Sequence, residues 1–485
     1  MAIQKITIEP VTRIEGHARI TIHLNDGGEV ETSFLHVDEF RGLEKFSEGR
    51  PYFEMPQITQ RICGICPVSH HLASAKSCDA IMGVEPPRPA VLLRELLHMA
   101  QFVQSHGMHF FYLAGPDLVL GFDADPAVRN VFGLIEADPQ LALKAVGLRR
   151  FGQQIIERLG GKRVHPNFAV PGGVSAPLTS QDRNAIAGEI ETQIGVALEG
   201  VGLLTDWVEK NRDLALRFAA FPSNYMGMVD AAGQLALYDG EIRICDHAGR
   251  RLEQFHPRDY LAHVAEHVEP WTYLKFPYLR KIGWKGFIDG QNSGLYHATP
   301  LSRLNAADGM ATPLAQKEYE RMYSTLGGKP VHATLAMHWA RLIELLYSAE
   351  RLLELALDPD ITGKELRAPL GPIPGEGVGI VEAQRGTLTH HYWTDDRGIV
   401  QKINLIVGTT NNHAPISMSI KKAAGGLIKK GVVVTDGILN MVEMAFRAYD
   451  PCFSCATHSL PGKMPLIIEI RNSDGSLRQY LKRDR

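Results

Sequence analysis

Apolar and polar residues alternate through much of residues 3–37. Ala18, Ile20, Ile22 and Leu24 fall on one face and Arg19, Thr21 and His23 on the other, with Asn25-Asp26-Gly27-Gly28 as a turn; this spacing predicts a β-hairpin or small meander. From Pro89 the period changes to that of a helix. Val91, Leu92, Leu96, Met99, Phe102, Val103 and Phe110 share a stripe that continues to about residue 113. The same signal predicts helices over 141–159, 182–214 and 332–357, the last marked by Trp339, Leu342, Ile343, Leu346 and Leu353. Strand-like patterning returns over 237–256 and 379–407, with a turn at Asp395-Asp396-Arg397-Gly398. After residue 458, Pro465 to Ile470, the turn Asn472-Ser473-Asp474-Gly475, and residues 477–481 read as a hairpin. The aromatic cluster His109-Phe110-Phe111-Tyr112 falls at the end of the first helical stretch and reads as packing core. The expected fold class is α+β, predominantly α: a core of long helices with small β-sheets at its periphery. A length of 485 residues would by itself suggest roughly three domains. Because no repeat or low-complexity linker interrupts the pattern, one compact unit over 1–458 is expected instead, β-rich over 1–40, helical over about 89–360 and β-rich again over about 379–407.

Composition narrows the class. Hydrophobic residues are 45% and charged residues 22%, the balance of an ordinary globular protein. Lys and Arg number 51 against 54 Asp and Glu, a net charge of −3, which argues against nucleic acid as the main partner. Residues 1–8 lack the basic and apolar regions of a secretory signal, and no run of 18 apolar residues marks a membrane span, so a soluble, cytoplasmic protein is expected, unless a partner's signal exports it. Gly375-Glu376-Gly377-Val378-Gly379-Ile380 is not a dinucleotide fingerprint, because Ile380 stands at the third glycine position; no phosphate-binding GxxxxGK[ST] occurs either.

The six cysteines carry the chemistry. Four form two CxxC pairs, Cys63-Gly64-Ile65-Cys66 and Cys452-Phe453-Ser454-Cys455, separated by 386 positions. Each pair can turn two thiolates toward one metal, and the two together supply four sulfurs for a soft metal or cluster. A structural zinc site is one reading, although zinc knuckles usually stand some 15–20 residues apart; a redox CxxC would want a βαβ context that is absent. His70 follows Cys66 by four residues, where one helical turn would bring its imidazole to the Cys66 sulfur, and His458 follows Cys455 by three.

With these flanks the chain resembles, over nearly its whole length, the large catalytic subunit of nickel–iron hydrogenases. The motifs are Arg13-Ile14-Glu15-Gly16-His17, Phe40-Arg41-Gly42-Leu43-Glu44, Arg61-Ile62-Cys63-Gly64-Ile65-Cys66, Glu382-Ala383-Gln384-Arg385-Gly386-Thr387, Asn404-Leu405-Ile406-Val407-Gly408-Thr409-Thr410, and Asp450-Pro451-Cys452-Phe453-Ser454-Cys455-Ala456-Thr457-His458. Within the family it is most similar to the cytosolic branch of NAD-reducing soluble enzymes and viologen-reducing enzymes coupled to heterodisulfide reductase. The resemblance implies the hydrogenase large-subunit fold and a nickel–iron centre with carbon monoxide and cyanide on iron. It makes Cys63 and Cys452 terminal nickel ligands, and Cys66 and Cys455 bridges between the metals. It makes Arg385 and Thr409 hydrogen-bond donors to cyanide, and Glu15 the proton acceptor beside Cys452. Glu44, the Leu405 carbonyl and His458 resemble ligands of a magnesium ion.

The remaining cysteines, Cys78 and Cys245, cannot hold a four-cysteine iron–sulfur cluster, and the chain has no nucleotide motif. Electrons are therefore expected to leave through a small iron–sulfur subunit, with diaphorase or reductase subunits beyond it and NAD(P) as acceptor, or else a heterodisulfide reductase partner. Nickel-insertion proteins and a maturation endopeptidase are implied as well, since family precursors are cut after the histidine that matches His458; residues 459–485 would be the removable extension. Gln384 and Gly408 depart from the family, which usually has proline at the first position and proline or alanine at the second. A quinone-site subunit of respiratory complex I shares the fold but lacks the metal-binding cysteines. A hydrogen sensor would keep the metal site and generally lack the tail, and a zinc-stapled structural subunit would have no use for Glu15, Arg385 or Glu44.

Overall fold

The computed structural model describes residues 5–372, 375–458, 466–472 and 476–483. The amino-terminal alternation becomes a three-stranded antiparallel meander of Lys5–Ile8, Ala18–Leu24 and Val30–Val37. Its register sets Ile8 opposite Ile20 and Ile20 opposite Leu35, so one face of the sheet is buried.

Against this sheet lies a helical core. Helices Arg88–Met108 and Ala336–Leu357 are buried on nearly every side, as helices apolar around most of their circumference must be. The first runs on into a π-helical turn, His109–Ala114, in which His109, Phe110 and Phe111 are buried in the core. Helices Pro139–Gly160 and Ser180–Lys210 pack outside them. The helix expected over 182–214 breaks at Asn211, and a second short helix spans Arg212–Arg217. Asn211 turns its own side-chain amide back onto the Trp207 carbonyl at 3.0 Å, the local bond through which asparagine competes with helical backbone. The helix expected over 332–357 starts at Ala336.

The strands expected over 237–256 begin later than the pattern implies. Asn224–Val229, Glu241–Cys245 and Arg251–Phe255 pair antiparallel, with Tyr296–His297 added in parallel, while Leu237 and Tyr238 lie outside any strand. Their carbonyls serve other partners: the Leu237 carbonyl accepts from Glu382 N–H, and the Tyr238 carbonyl from Lys76 Nζ. The second patch is a clean meander of Glu376–Ala383, Gly386–Thr394 and Val400–Ile406, with the expected turn held by Asp395.

That meander lies on helix Pro67–Met82, and glycine makes the approach possible. A Cβ on Gly377 would stand 2.2 Å from the Ser77 carbonyl, and one on Gly379 2.1 Å from that of Ala73. The glycine-rich stretch thus serves close helix–strand packing. Periodicity does not betray this helix, because apart from Lys76 and Ala80 every one of its residues is buried and no polar face marks a turn. One continuous apolar cluster runs from Ile8 to Cys455 and takes in both CxxC pairs. The carboxy-terminal strands Leu466–Arg471 and Leu477–Arg483 pair antiparallel as expected; Pro465 and the turn residues Ser473, Asp474 and Gly475 lie outside the described residues. No helix among the described residues is long and apolar enough to cross a membrane.

Candidate metal centre

Each CxxC pair sits where the chain enters a helix. Cys63 closes the short turn Gln60–Ile62, and Cys66 precedes helix Pro67–Met82, whose first residue is proline, suited by its fixed φ and missing N–H to open a helix. The backbone N–H groups of Ile65 and Cys66 both point at Cys63 Sγ, at 3.2 and 3.0 Å. Gln101 and Gln104, from the buried face of helix Arg88–Met108, both donate to the Ile65 carbonyl at 2.7 and 2.8 Å, and His165 donates to the Cys63 carbonyl at 2.9 Å. In the second pair, Asp450 takes a left-handed conformation (φ 53°), Pro451 follows, and Cys452 opens the short helix Phe453–Ala456.

The two loops meet. Cys63 and Cys66 sulfurs are 3.0 Å apart, Cys452 and Cys455 2.7 Å, Cys63 and Cys452 3.5 Å, and Cys66 and Cys455 3.6 Å. All four are buried and lie within 4.8 Å of one another. Burial pushes the Cys452 and Cys455 thiols well up, whereas hydrogen bonds from Cys452, Cys455 and Cys63 hold Cys66 well down, with a smaller contribution from His70. Four thiolates at this spacing need a cationic centre to offset their mutual repulsion, so the donor set fits a soft metal or a pair of metals. The other two cysteines stay apart: Cys78 donates to the Tyr52 carbonyl, and Cys245 ends strand Glu241–Cys245.

Glu15 lies in the loop before strand Ala18–Leu24 rather than in a strand of the meander, and pairs with Cys452 as an isolated parallel bridge. Phe453 N–H donates to the Glu15 carbonyl at 3.2 Å. Cys452 Sγ donates to Glu15 Oε2 at 2.9 Å, and the Ser454 hydroxyl to Glu15 Oε1. Thr409 Oγ1 accepts the Cys452 backbone N–H at 3.0 Å, so the hydroxyl hydrogen remains to be given elsewhere.

Arg385 occupies the two-residue turn between strands Glu376–Ala383 and Gly386–Thr394. Its guanidinium is 3% exposed and stands 3.0 Å from Asp450, yet none of its three nitrogens has hydrogen-bond geometry to any partner. Burial pushes the Asp450 carboxyl up to about 6 despite the neighbouring Arg385 and Arg341. Five unsatisfied N–H groups in a buried pocket beside four sulfurs fit an acceptor-bearing group on the metal. Next to it, Gln384 accepts from Ser69 at 3.3 Å and leaves its own NH₂ without a partner. At Gly408 a Cβ would lie 2.9 Å from the Gly386 backbone, which accounts for glycine at that position in this chain.

The remaining expected residues converge nearby. Glu44 accepts the Leu405 N–H at 2.9 Å, and the Gly42 and Glu44 N–H groups hold the His458 carbonyl at 3.1 and 3.4 Å. Both His458 ring nitrogens are buried and unpartnered, and burial pushes the imidazole down to about 3, leaving it neutral and able to ligate. Lys275 stands 3.6 Å from Glu44 and 3.0 Å from Glu266. Burial raises the Glu44 carboxyl, with Lys275 opposing. His70 pairs with His390 at 3.1 Å through Nδ1, and its Nε2 has no partner. Sequence reading did not reach Asp450, Ser454, Gln101, Gln104 or Lys275 as site residues. Only the glutamines left a signal, two polar positions three apart on an apolar helix face.

Known proteins place the chain in one family. The pattern of the nickel-dependent hydrogenase family matches residues 41–129 and 295–458, and a HoxL-like pattern matches residues 5–40. The chain is 45% identical over 480 residues to an iron-sulfur subunit of the F420-non-reducing hydrogenase of Archaeoglobus profundus, covering 98% of this chain and 99% of that one. It is 41% identical over 488 residues to the beta subunit of the NAD-reducing hydrogenase HoxS of Cupriavidus necator, covering 98% of each. A crystal structure of an NAD+-reducing [NiFe]-hydrogenase in the H2-reduced state superposes with a TM-score of 0.90 at 43% identity, over 94% of this chain and 100% of that one. The fold is that of the nickel–iron hydrogenase large subunit, and the chain belongs to the nickel-dependent hydrogenase family.

Proposed function

We propose that this chain is the catalytic subunit of a cytoplasmic nickel–iron hydrogenase that interconverts H2 with two protons and two electrons. The observation that carries the reading is the closed group of four sulfurs with Glu15 on one of them. Cys63 and Cys452 would hold nickel terminally, and Cys66 and Cys455 would bridge nickel to iron. The bimetallic group, with carbon monoxide and cyanide on iron, would supply the chemistry that polarises and splits H2.

The chain's own residues do the rest. Cys452 Sγ stands ready to hold the proton, and Glu15 to take it at 2.9 Å, within general-base reach. Ser454 fixes the carboxylate through its hydroxyl and backbone N–H. Arg385 and Thr409 would offer free N–H and O–H groups to cyanide on iron, and Arg385 would add a positive charge that low dielectric strengthens. His70, locked by His390, orients toward Cys66. Glu44, the Leu405 carbonyl and neutral His458 would hold magnesium, with waters completing its shell.

Electrons would leave through a small iron–sulfur subunit, then through further diaphorase subunits to NAD(P), since Cys78 and Cys245 stand apart from the cluster. The likeness to the NAD+-reducing structure at TM-score 0.90 favours that acceptor. The 45% identity to an F420-non-reducing relative supports a heterodisulfide reductase partner as the second reading. Residues 459–485 would be removed by a maturation endopeptidase after nickel insertion.

The test is nickel, iron and zinc content of the enzyme purified anaerobically with its partners. About one nickel and one iron per chain, beyond the partners' clusters, is expected; zinc without nickel would overturn the reading. Intact mass of the nickel-loaded chain should end at His458. Hydrogen-dependent NAD reduction by the same preparation separates the two acceptors.

A further inference from the structure

Arg385 is carried by a turn of only two residues, and that turn is gripped from behind. Ala383 pairs with Gly386, which leaves Gln384 and Arg385 as the loop of a tight hairpin. The carbonyls of residues 382 to 385 all accept from side chains of other elements. His98 Nε2 donates to the Glu382 carbonyl at 2.8 Å, Arg303 Nη1 to that of Ala383 at 2.6 Å, Arg303 Nη2 to that of Gln384 at 3.4 Å, and Asn412 Nδ2 to that of Arg385 at 2.9 Å. Arg303 stands in the short helix Pro300–Ala306, which strand Asn224–Val229 admits closely: a Cβ on Gly227 would lie 2.7 Å from the Arg303 Cα. Its guanidinium is wholly buried, and all five of its N–H groups are engaged. Two take the oxygens of Glu344 in a fork at 2.7 Å, one reaches Glu382 Oε2 at 3.1 Å, and two hold the turn. Glu344 is fixed in its place by His106 Nε2 at 2.9 Å, and Glu382 by the Met228 N–H at 2.8 Å and the Thr387 hydroxyl at 3.1 Å. One buried arginine thus has every donor satisfied, and the arginine of the turn it holds has none. Neutral donors would satisfy two buried carbonyls without the desolvation that a buried set of ions costs, so the charge and the planar fork of Arg303 have a further use.

From this geometry we propose that Arg303 is the positioning residue for Arg385: its fork, locked on Glu344, fixes the Gln384–Arg385 turn and so keeps the Arg385 donors beside the sulfurs with no protein partner. The inference rests on the hydrogenase reading and adds to it a residue that acts only through another. Arg303 moves no proton and no electron. The Arg385 side chain has several rotatable bonds, and the backbone it grows from is the part of it that hydrogen bonds fix. Were the turn free to shift, the guanidinium could close on Asp450, 3.0 Å away, and use its donors on that carboxylate. Holding four successive carbonyls leaves the turn no such freedom.

The experiment uses the intact enzyme with its partner subunits, purified anaerobically, and reads the cyanide stretching bands by infrared spectroscopy beside nickel content and turnover. Arg303→Lys keeps the charge and loses the fork. Per nickel bound, it should displace the cyanide bands in the direction that Arg385→Lys displaces them, and turnover should fall roughly tenfold to a hundredfold, the scale of a small misplacement at a reacting site. Added to Arg385→Lys, it should change neither reading further, because two residues that act through one contact are not additive. Parental bands in Arg303→Lys, or effects that add in the double variant, would overturn the positioning role. Glu344→Gln keeps one acceptor oxygen and releases the other arm of the fork; it should shift the bands the same way, and it supplies the test alone where Arg303→Lys does not assemble. Failure of both to assemble would make Arg303 a folding residue and overturn the role as well. A parental enzyme without cyanide bands would overturn the nickel–iron reading instead.

Discussion

Arg385 and Asp450 are both buried, 3.0 Å apart, and neither satisfies the other's hydrogen bonds. A buried pair of this kind adds little to stability, since desolvation offsets attraction, so its retention points to work at the site. Lysine at 385 would keep a charge near Asp450 while losing the planar fork. Arg385→Lys is expected to fold and load nickel, and to lose on the order of 10²–10³ in turnover per nickel, as when one aimed donor is removed from a charged site. The cysteines divide as sharply. Cys452→Ser should abolish nickel retention, whereas Cys78→Ser, whose thiol only reaches the Tyr52 carbonyl, should leave nickel at its parental level. Equal metal content in the two variants would refute the assignment. The residue types at the site were legible from the CxxC pairs and their flanking motifs. Asp450 and Ser454 were not, because their roles depend on what stands opposite them rather than on spacing.

At the scale of elements, the site depends on one close contact. Strand Glu376–Ala383 delivers Arg385 to the cluster, and helix Pro67–Met82 carries Cys66 at its start; Gly377 and Gly379 bring the two together. Gly379→Ala would place a methyl 2.1 Å from the Ala73 carbonyl, which lies on a buried helix and cannot move aside. Overpacking of this kind costs about 1–3 kcal/mol or more. The variant should show a lower thermal midpoint and reduced nickel content together, whereas a parental value of both would show the contact to be tolerant. Helices Pro139–Gly160 and Ser180–Lys210 and the meander over 379–407 were readable from periodicity, since each has a face toward solvent or a clean turn, and helices Arg88–Met108 and Ala336–Leu357 were readable from their long apolar stripes despite their burial. Helix Pro67–Met82 was not, because burial on all sides erases the polar face that periodicity needs. The strands near 237–256 started late because Leu237 and Tyr238 spend their carbonyls on Glu382, His98 and Lys76.

Across the whole molecule, burial of histidine makes stability depend on pH. His98, His106 and His413 are wholly buried, and desolvation lowers each to about 4 from an ordinary 6.5. Unfolding frees these rings to bind protons that the folded chain refuses. Their contribution is complete above pH 6.5 and is lost as pH falls from 6.5 toward 4, by about 1.4 kcal/mol per histidine per pH unit. The denaturation midpoint should hold steady between pH 7 and 8 and drop steeply by pH 5.5; a flat profile across that range would contradict it.

The chemistry available to this protein is written in its primary structure: two thiol pairs, a basic residue, acids and histidines, each in a short motif whose neighbours already prescribe a turn or a helix start. These are local properties, set by φ preferences and hydrogen bonds within a few residues. Which of these groups meet is set by long-range packing. Cys66 and Cys455 lie 3.6 Å apart through the packing of one apolar cluster that spans most of the chain, and Glu15 reaches Cys452 only because the two loops pair edge to edge. Such meetings depend on contacts between residues hundreds of positions apart, formed where burial of apolar surface brings them together.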